Sequence, residues 1–366
     1  MIPGLFTKHH HCLCKFLWHV VFSVHRMGAG ASKAVHARPG IVVSLDALGT
    51  IYKFREPITT QYIKVAERCG LKEKDIRKAD LGKAFLKSFK EISDEYPNYG
   101  KGQLSSPRAW WKTVVNDAFR RVVDEAQIPD HIGDELYNHF TSSAAYELYP
   151  DVPSFFASMR ELKQQYSRPD DPPVFVGVIS NSDPRVKSVL QSLGLRVGID
   201  SMPKIESVRE RTNRTGPDMA EIMKSVWHYA YNPLNDIDFL ATSYEASAEK
   251  PEPEIYSHAA TLANVNFASK LEQQHEDWTP TFQTMRAKVQ ITRQMNTIKE
   301  SKFIHIGDDY EKDYLGAMDV GIDALHLVRE DHKVEVGQGA TTVTDLYQAA
   351  AAVRIIAEQE LRKNGG

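Results

Sequence analysis

Residues 41–50 read Ile-Val-Val-Ser-Leu-Asp-Ala-Leu-Gly-Thr. A short, β-forming, mostly apolar run of this kind fits a strand buried on both faces, and such strands belong to parallel sheets covered by helices. The run delivers a single carboxylate, Asp46, at its end, with Gly49 and Thr50 directly behind. The carboxyl ends of strands in open α/β sheets are where these folds bind ligands. Taken alone, a strand-end Asp followed by Gly is also what a plain turn looks like. The weight of the reading therefore falls on three later segments, which arrive in a fixed order.

A chain of 366 residues has room for about two domains. With 42% hydrophobic and 25% charged residues it has the composition of a globular protein with a sizeable core. A net charge of −3 argues against a nucleic-acid or other polyanionic partner. Three cysteines, Cys12, Cys14 and Cys69, make no disulfide framework and fit a reducing compartment. No apolar stretch reaches the length of a transmembrane segment.

The first 40 residues differ from the rest, with five Lys or Arg, no Asp or Glu, and six of the fourteen histidines. Leu13 to Val24 could form an amphipathic helix, and the basic, acid-free pattern fits a mitochondrial transit peptide. The alternative is an unstructured extension, with Met27 as the effective start. The expected compartment is the cytoplasm, with mitochondrial import as the alternative.

Further strands are expected at Val174 to Ile179, Asp238 to Thr242, Phe303 to Ile306 and Ala324 to Val328. Helical patterns at Arg185 to Leu193, Ile255 to Leu262 and Tyr314 to Asp319 separate them. Strands alternating with helices predict an α/β fold with a Rossmann-like parallel sheet. The stretch 58–150 is helical in period instead, with candidates at Ile58 to Arg68, Leu81 to Ile92, Ala109 to Ala126 and Asp134 to Ala145. It reads as a helical cap inserted after the first strand. The expected organisation is an N-terminal extension (1–38), a core (39–57 and 151–350) with insertions at about 201–237 and 266–300, the cap (58–150), and a closing helix at 344–363. The second insertion has a helix-like part at Phe282 to Thr297.

Polar groups gather where the strands end: Asp46 and Thr50; Ser180, Asn181, Ser182 and Asp183; Gly307, Asp308, Asp309 and then Asp313. Lys250 opens the helix after the third strand, in Lys-Pro-Glu-Pro-Glu-Ile-Tyr. A carboxylate in such a crevice can attack phosphorus or carbon and form a covalent intermediate. Hard oxygen ligands such as Asp46 and Asp308 suit Mg²⁺. Ser180 and the amides at the following helix start can hold phosphoryl oxygens, and Asp183-Pro184 is a good beginning for that helix. Lys250 adds positive charge where a transition state is most negative.

Asp-x-x-Gly-Thr, Ile-Ser-Asn, Lys-Pro-x-Pro-x-Ile-Tyr and Ile-Gly-Asp-Asp followed by Asp resemble, in that order, the four motifs of the haloacid dehalogenase superfamily. The intervening helices resemble its type 1 cap. Pro97-Asn98-Tyr99-Gly100 and Trp110-Trp111 are similar to features of the eukaryotic haloacid dehalogenase-like hydrolase-domain proteins. The resemblance implies a hydrolase, of phosphoric monoester type, acting on a small-molecule substrate. Asp46 would be nucleophile and metal ligand, Lys250 would stabilise the intermediate, and Thr50, Ser180 and Asn181 would bind phosphate or substrate. Mg²⁺ would be held by Asp46, the backbone carbonyl of Leu48, Asp308, and Asp309 or Asp313.

Leu48 is the departure. Phosphatases of the superfamily carry there a second Asp that protonates the leaving group, and general acid–base help is worth ~10²–10⁴-fold. Dehalogenases of the superfamily also lack that Asp, because halide leaves without a proton; they need no Mg²⁺ and usually lack the Gly-Asp-Asp cluster. The expected function is therefore a weak Mg²⁺-dependent phosphatase. The alternatives are a catalytically silent binding protein and, less favoured, a carbon–halide hydrolase. Outside the motifs, Arg55 is expected in a surface salt bridge, Trp110 and Trp111 in the cap core, and His305 as a core histidine.

Overall fold

The structure, a computed structural model, describes residues 40–364 except 73, 75, 169–170, 202–229, 275–300 and 330–338. The N-terminal extension, most of the first expected insertion, and the helix expected at 282–297 lie outside the described residues.

Strand β1 (Ile41–Leu45) is flanked by β4 (Val174–Ser180) and β7 (Lys302–Gly307), both parallel to it. With β5 (Val197–Ile199), β6 (Ile237–Thr242), β8 (Asp323–Leu327) and β9 (Thr342–Val343) they form a seven-stranded sheet in the order β5-β6-β4-β1-β7-β8-β9. Every described pairing in it is parallel. The registers Leu45↔Val178 and Leu45↔Ile306 bring the carboxyl ends of β1, β4 and β7 level.

Alternation along β1 divides the core into two layers. Ile41, Val43 and Leu45 pack with α5 (Val152–Gln165), α6 (Arg185–Ser192) and α8 (Leu346–Asn364), through Phe155, Phe156, Val189 and Val353. Val42 faces the other layer, where α7 (Pro253–Gln274) supplies Ile255, Tyr256, Ala259 and Phe267.

The chain leaves the sheet through β2 (Tyr52–Phe54) and returns through β3 (Tyr146–Leu148), paired antiparallel. Between them lie α1 (Ile58–Arg68), α2 (Lys78–Glu95), α3 (Pro107–Arg120) and α4 (Ile132–His139). They bury a core of their own around Tyr62, Leu81, Phe119 and Leu136, with a smaller cluster around Trp110. Ser106 Oγ accepts the Ala109 N–H at 3.3 Å and Pro107 occupies the first turn, two devices that start α3 where it starts.

Several boundaries differ from expectation. The helix predicted to reach Ala126 stops at Arg120, and Asp124 caps a separate short turn at Glu125–Gln127. The helix expected at 255–262 runs on to Gln274, and residues 266–270, placed in the expected insertion, are buried along it. Phe267 explains the extension, since its ring packs 4.6 Å from that of Phe175. The helix expected from Tyr314 begins at Tyr310 as a π-helical turn, a form that concentrates at functional sites. The short strands β2, β3, β5 and β9 and helix α5 have no counterpart among the expected elements.

Candidate active site

Lys250 is the hub of the strand-end cluster. Its Nζ lies 2.5 Å from Asp46 Oδ1 and 2.6 Å from Asp313 Oδ1, and donates to the Ile179 carbonyl at 2.9 Å. Asp46, Asp308 and Asp313 each offer one carboxylate oxygen within 4.8 Å of the others. Three hard oxygen donors so grouped are a suitable seat for one small divalent cation.

The charges are interlocked. Asp46 is 9% exposed. Burial pushes its carboxyl up to about 7; Lys250 pulls the other way, while Asp313 and Asp308 push with burial. Burial would also raise Asp313, yet Lys250 and His305 hold it well below the usual carboxylate range. Burial works against the Lys250 ammonium, and Asp313 and Asp46 outweigh it, keeping the lysine charged. His305, expected only as a core histidine, is fully buried and bonds to Asp313 Oδ1 through Nε2 at 3.1 Å and to Ser44 Oγ through Nδ1 at 2.8 Å. Burial pushes the imidazole pKa down, against the pull of Asp313. A neutral ring that accepts from Ser44 and donates to Asp313 satisfies both contacts.

Other residues position these groups. Thr50, expected to meet phosphate, is fully buried and donates to Asp308 Oδ1 at 2.9 Å, so it orients that carboxylate. Gly49 has φ +94°, and a Cβ there would stand 2.4 Å from Asp308 Oδ2; glycine alone lets the turn come so close. Asn181, expected at the substrate, spends its amide on the backbone of Lys250. Nδ2 donates to the carbonyl at 3.0 Å, and Oδ1 accepts the N–H at 2.7 Å. Ser180 ends β4, buried, in register with Thr242. The neighbouring Ser182 Oγ is buried without a hydrogen-bond partner. Asp309 stands apart from the three-carboxylate group. It accepts the N–H groups of Glu311 and Lys312 at the start of the π-turn and pairs with Lys312 Nζ at 2.8 Å.

Leu48 projects from the turn with 43% of its surface exposed, an apolar side chain with nothing to titrate. Arg329, absent from the expected site residues, is buried behind the same turn. It donates to the carbonyls of Gly49 at 3.2 Å and Thr50 at 2.7 Å and pairs with Asp151 at 3.0 Å. A basic residue shortly after a strand end, facing an Asp at the cap exit, is the trace it leaves in the sequence.

The helical insertion between β2 and β3 contacts this end of the sheet. Trp111 Nε1 donates to Asp183 Oδ2 at 2.6 Å, and the Arg185 guanidinium, held by Asp183, lies 4.1 Å from the Trp111 ring. Tyr99 donates to the Asn181 carbonyl at 3.3 Å, and Lys101 reaches the carbonyl of Tyr244 and Ser247 Oγ. Trp111 is therefore a docking residue, whereas Trp110 is cap core as expected. Arg55 pairs with Glu147 at 3.6 Å on the surface, as expected. Arg185 also lines a cavity of about 70 Å³ between cap and core, walled by Phe54, Tyr62, Trp111 and Tyr146.

No family model matches the chain. It is 30% identical over 172 residues to an uncharacterised protein of Saccharomyces cerevisiae, the match spanning 46% of this chain and about half, 52%, of that protein. It is 24% identical over 287 residues to haloacid dehalogenase-like hydrolase domain-containing protein 3 of Danio rerio, covering 78% of this chain and 84% of the relative. Among solved structures, the 2-haloacid dehalogenase of Pseudomonas syringae is similar at 14% identity and TM-score 0.45, over 87% of this chain and 98% of that one. With its four strand-end motifs on one parallel sheet, the chain is similar to these curated relatives of the haloacid dehalogenase-like hydrolase type.

Proposed function

We propose that the protein is a Mg²⁺-dependent hydrolase of small phosphate esters that works through an aspartyl-phosphate on Asp46. The observation that carries this reading is the single cluster of Asp46, Asp308 and Asp313 closed by Lys250 at the carboxyl ends of β1, β4 and β7. Magnesium, when bound there, would offset the repulsion between a carboxylate and an anionic phosphate. An Asp46 oxygen attacks phosphorus, the ester oxygen departs with its electron pair, and water then hydrolyses the acyl phosphate. Lys250 stands beside the attacking carboxylate and stabilises the charge that builds on the phosphoryl oxygens.

Leu48 shapes the substrate range. With no proton to give at that position, the departing oxygen leaves as an anion unless the substrate or the cap protonates it. Phosphates with acidic leaving groups, aryl or acyl phosphates, should turn over best. The test is hydrolysis of a broad phosphate panel, with and without Mg²⁺, by the natural chain and by Asp46→Asn. Metal-dependent activity absent from the variant supports the reading; equal rates from both overturn it.

The exposed, aliphatic Leu48 also favours a second reading, a near-silent protein that retains anion and metal affinity. Leu48→Asp separates the two. A rate gain of ~10²-fold or more would mark a complete site lacking only its proton donor. No gain, together with retained phosphate binding, would favour the silent protein.

A further inference from the structure

The far end of the sheet holds a second cavity. The amino-terminal ends of β5 and β6, the last turns of α5 and the later part of α7 line an open pocket of about 300 Å³, the small end of the range for ligand pockets. It is remote from Asp46. Asp238 lies near the start of β6, whereas Thr242 at its end pairs with Ser180. A strand of that length, at about 3.3 Å per residue, separates the two ends by roughly 17 Å.

The cavity wall carries four cations, Arg160, Lys163, Arg196 and Lys270, and no carboxylate. Two carboxylates lie behind it. Asp236 pairs with Arg160 at 2.5 Å and Arg196 at 3.3 Å, and Asp238 pairs with Lys163 at 2.6 Å. Two positive charges are left in surplus. Lys270 is the clearest of them: only 8% exposed, it has no hydrogen-bond or ion-pair partner among the described residues. The Tyr231 ring at 5.8 Å is its nearest favourable contact, while Asp238 and Asp171 act on it only through space. The ammonium itself opens on the cavity, where a ring face offers it only a weak partner. An anion in the cavity would give Lys270 the acceptor it lacks. It would also take the guanidinium N–H groups that a single Asp236 leaves unused.

We propose that this cavity is a second binding site, for a small multivalent anion bearing phosphate or carboxylate groups, with Lys270, Arg160 and Arg196 as its ligands. The site is independent of the chemistry at Asp46. It is tested by isothermal titration of the full chain with inorganic pyrophosphate, and separately with citrate, in EDTA so that the catalytic carboxylates hold no divalent metal. The expected result is saturable one-site binding, unchanged in Asp46→Asn and at least about tenfold weaker in Lys270→Gln. Arg196→Gln, at a half-exposed side chain, should weaken it likewise and keeps the test decisive if Lys270→Gln fails to fold. Binding of pyrophosphate alone identifies a phosphate ligand, and of citrate alone a carboxylate ligand; each supports the site. No saturable binding of either probe, undiminished affinity in the folded variants, or loss of binding in Asp46→Asn overturns it.

Discussion

Lys250 and Asp313 meet through one oxygen: Nζ lies 2.6 Å from Asp313 Oδ1, and that same oxygen receives His305 Nε2 at 3.1 Å. The other oxygen of Asp313 accepts the N–H of Asp309 at 3.0 Å. Asp313 is thus the counter-charge that lets an ammonium stay buried against Asp46, in addition to being one of three carboxylates able to hold a cation.

Replacing Asp313 with Asn keeps the shape and removes that charge. Breaking a buried pair by removing one partner costs about 3–5 kcal/mol. Asp313→Asn should therefore melt well below the natural chain by calorimetry. It should also lower turnover by about 10²-fold or more on any substrate the phosphate panel identifies. Unchanged melting would refute the assignment of Asp313 as the partner that keeps Lys250 charged.

Gly49 and Thr50 act on Asp308 in different ways, and two variants separate them. Gly49→Ala puts a Cβ at φ +94° and 2.4 Å from Asp308 Oδ2, so it should destabilise the chain by about 1–3 kcal/mol and displace the carboxylate. Thr50→Val removes only the 2.9 Å hydrogen bond. It should leave a folded protein whose Mg²⁺ or Mn²⁺ affinity falls ~10–100-fold, as for other outer-sphere changes. A metal titration alongside circular dichroism reads both. Natural affinity in Thr50→Val would mean that Asp308 needs no such support.

Trp111 is one of the residues, with Tyr99 and Lys101, that hold the helical insertion to the sheet. Trp111→Phe keeps a ring beside Arg185 but loses the 2.6 Å bond to Asp183, which leaves a buried carboxylate short of one donor. A hydrogen bond to a charged group is worth about 1.5–3 kcal/mol. The contact between insertion and sheet should loosen, with faster proteolysis of the β2 and β3 linkers and a raised KM at little changed kcat. Proteolysis at the natural rate would place the docking energy elsewhere.

Cap tyrosines predict a response to alkali. Burial raises the phenols of Tyr62, Tyr99 and Tyr146, the last to about 12. The unfolded chain ionises its tyrosines from about pH 10. The folded state therefore holds these protons longer, and its stability, complete below pH 10, falls as pH rises toward 12. Tyrosinate absorbance and loss of ellipticity should rise together. Ionisation of the buried tyrosines in a still-folded chain would contradict their burial.

The sequence discloses those site residues whose place follows from the backbone alone. Asp46, Ser180 and Asp308 stand directly after apolar runs, and runs of that kind announce parallel strands. What a side chain touches is not encoded in that way. Thr50 and Asn181 sit at motif positions, yet they turn to Asp308 and to the Lys250 backbone, which only the packed sheet reveals. Asp309 and Asp313 look interchangeable in Gly-Asp-Asp followed by Asp; the π-turn alone decides which one caps and which one meets Lys250. Strands of two or three residues such as β9 and β5 are too short for a period to show. Helix α7 is underestimated because it is buried on several sides, so its apolar residues lack the single-face stripe by which helices are read.

Arg329 and Asp151 bind distant parts of the chain at one point: the guanidinium holds the carbonyls of Gly49 and Thr50, and Asp151 Oδ2 accepts the Leu346 N–H at 2.7 Å. The turn after Asp46 is therefore finished only by a residue some 280 positions later in the chain. During synthesis Asp46 leaves the ribosome long before Arg329, and its turn stays without this brace over that interval. A chain arrested before Arg329 should lack the guanidinium contacts to Gly49, Thr50 and Asp151, so the Asp46 turn should be less ordered than in the longer chain.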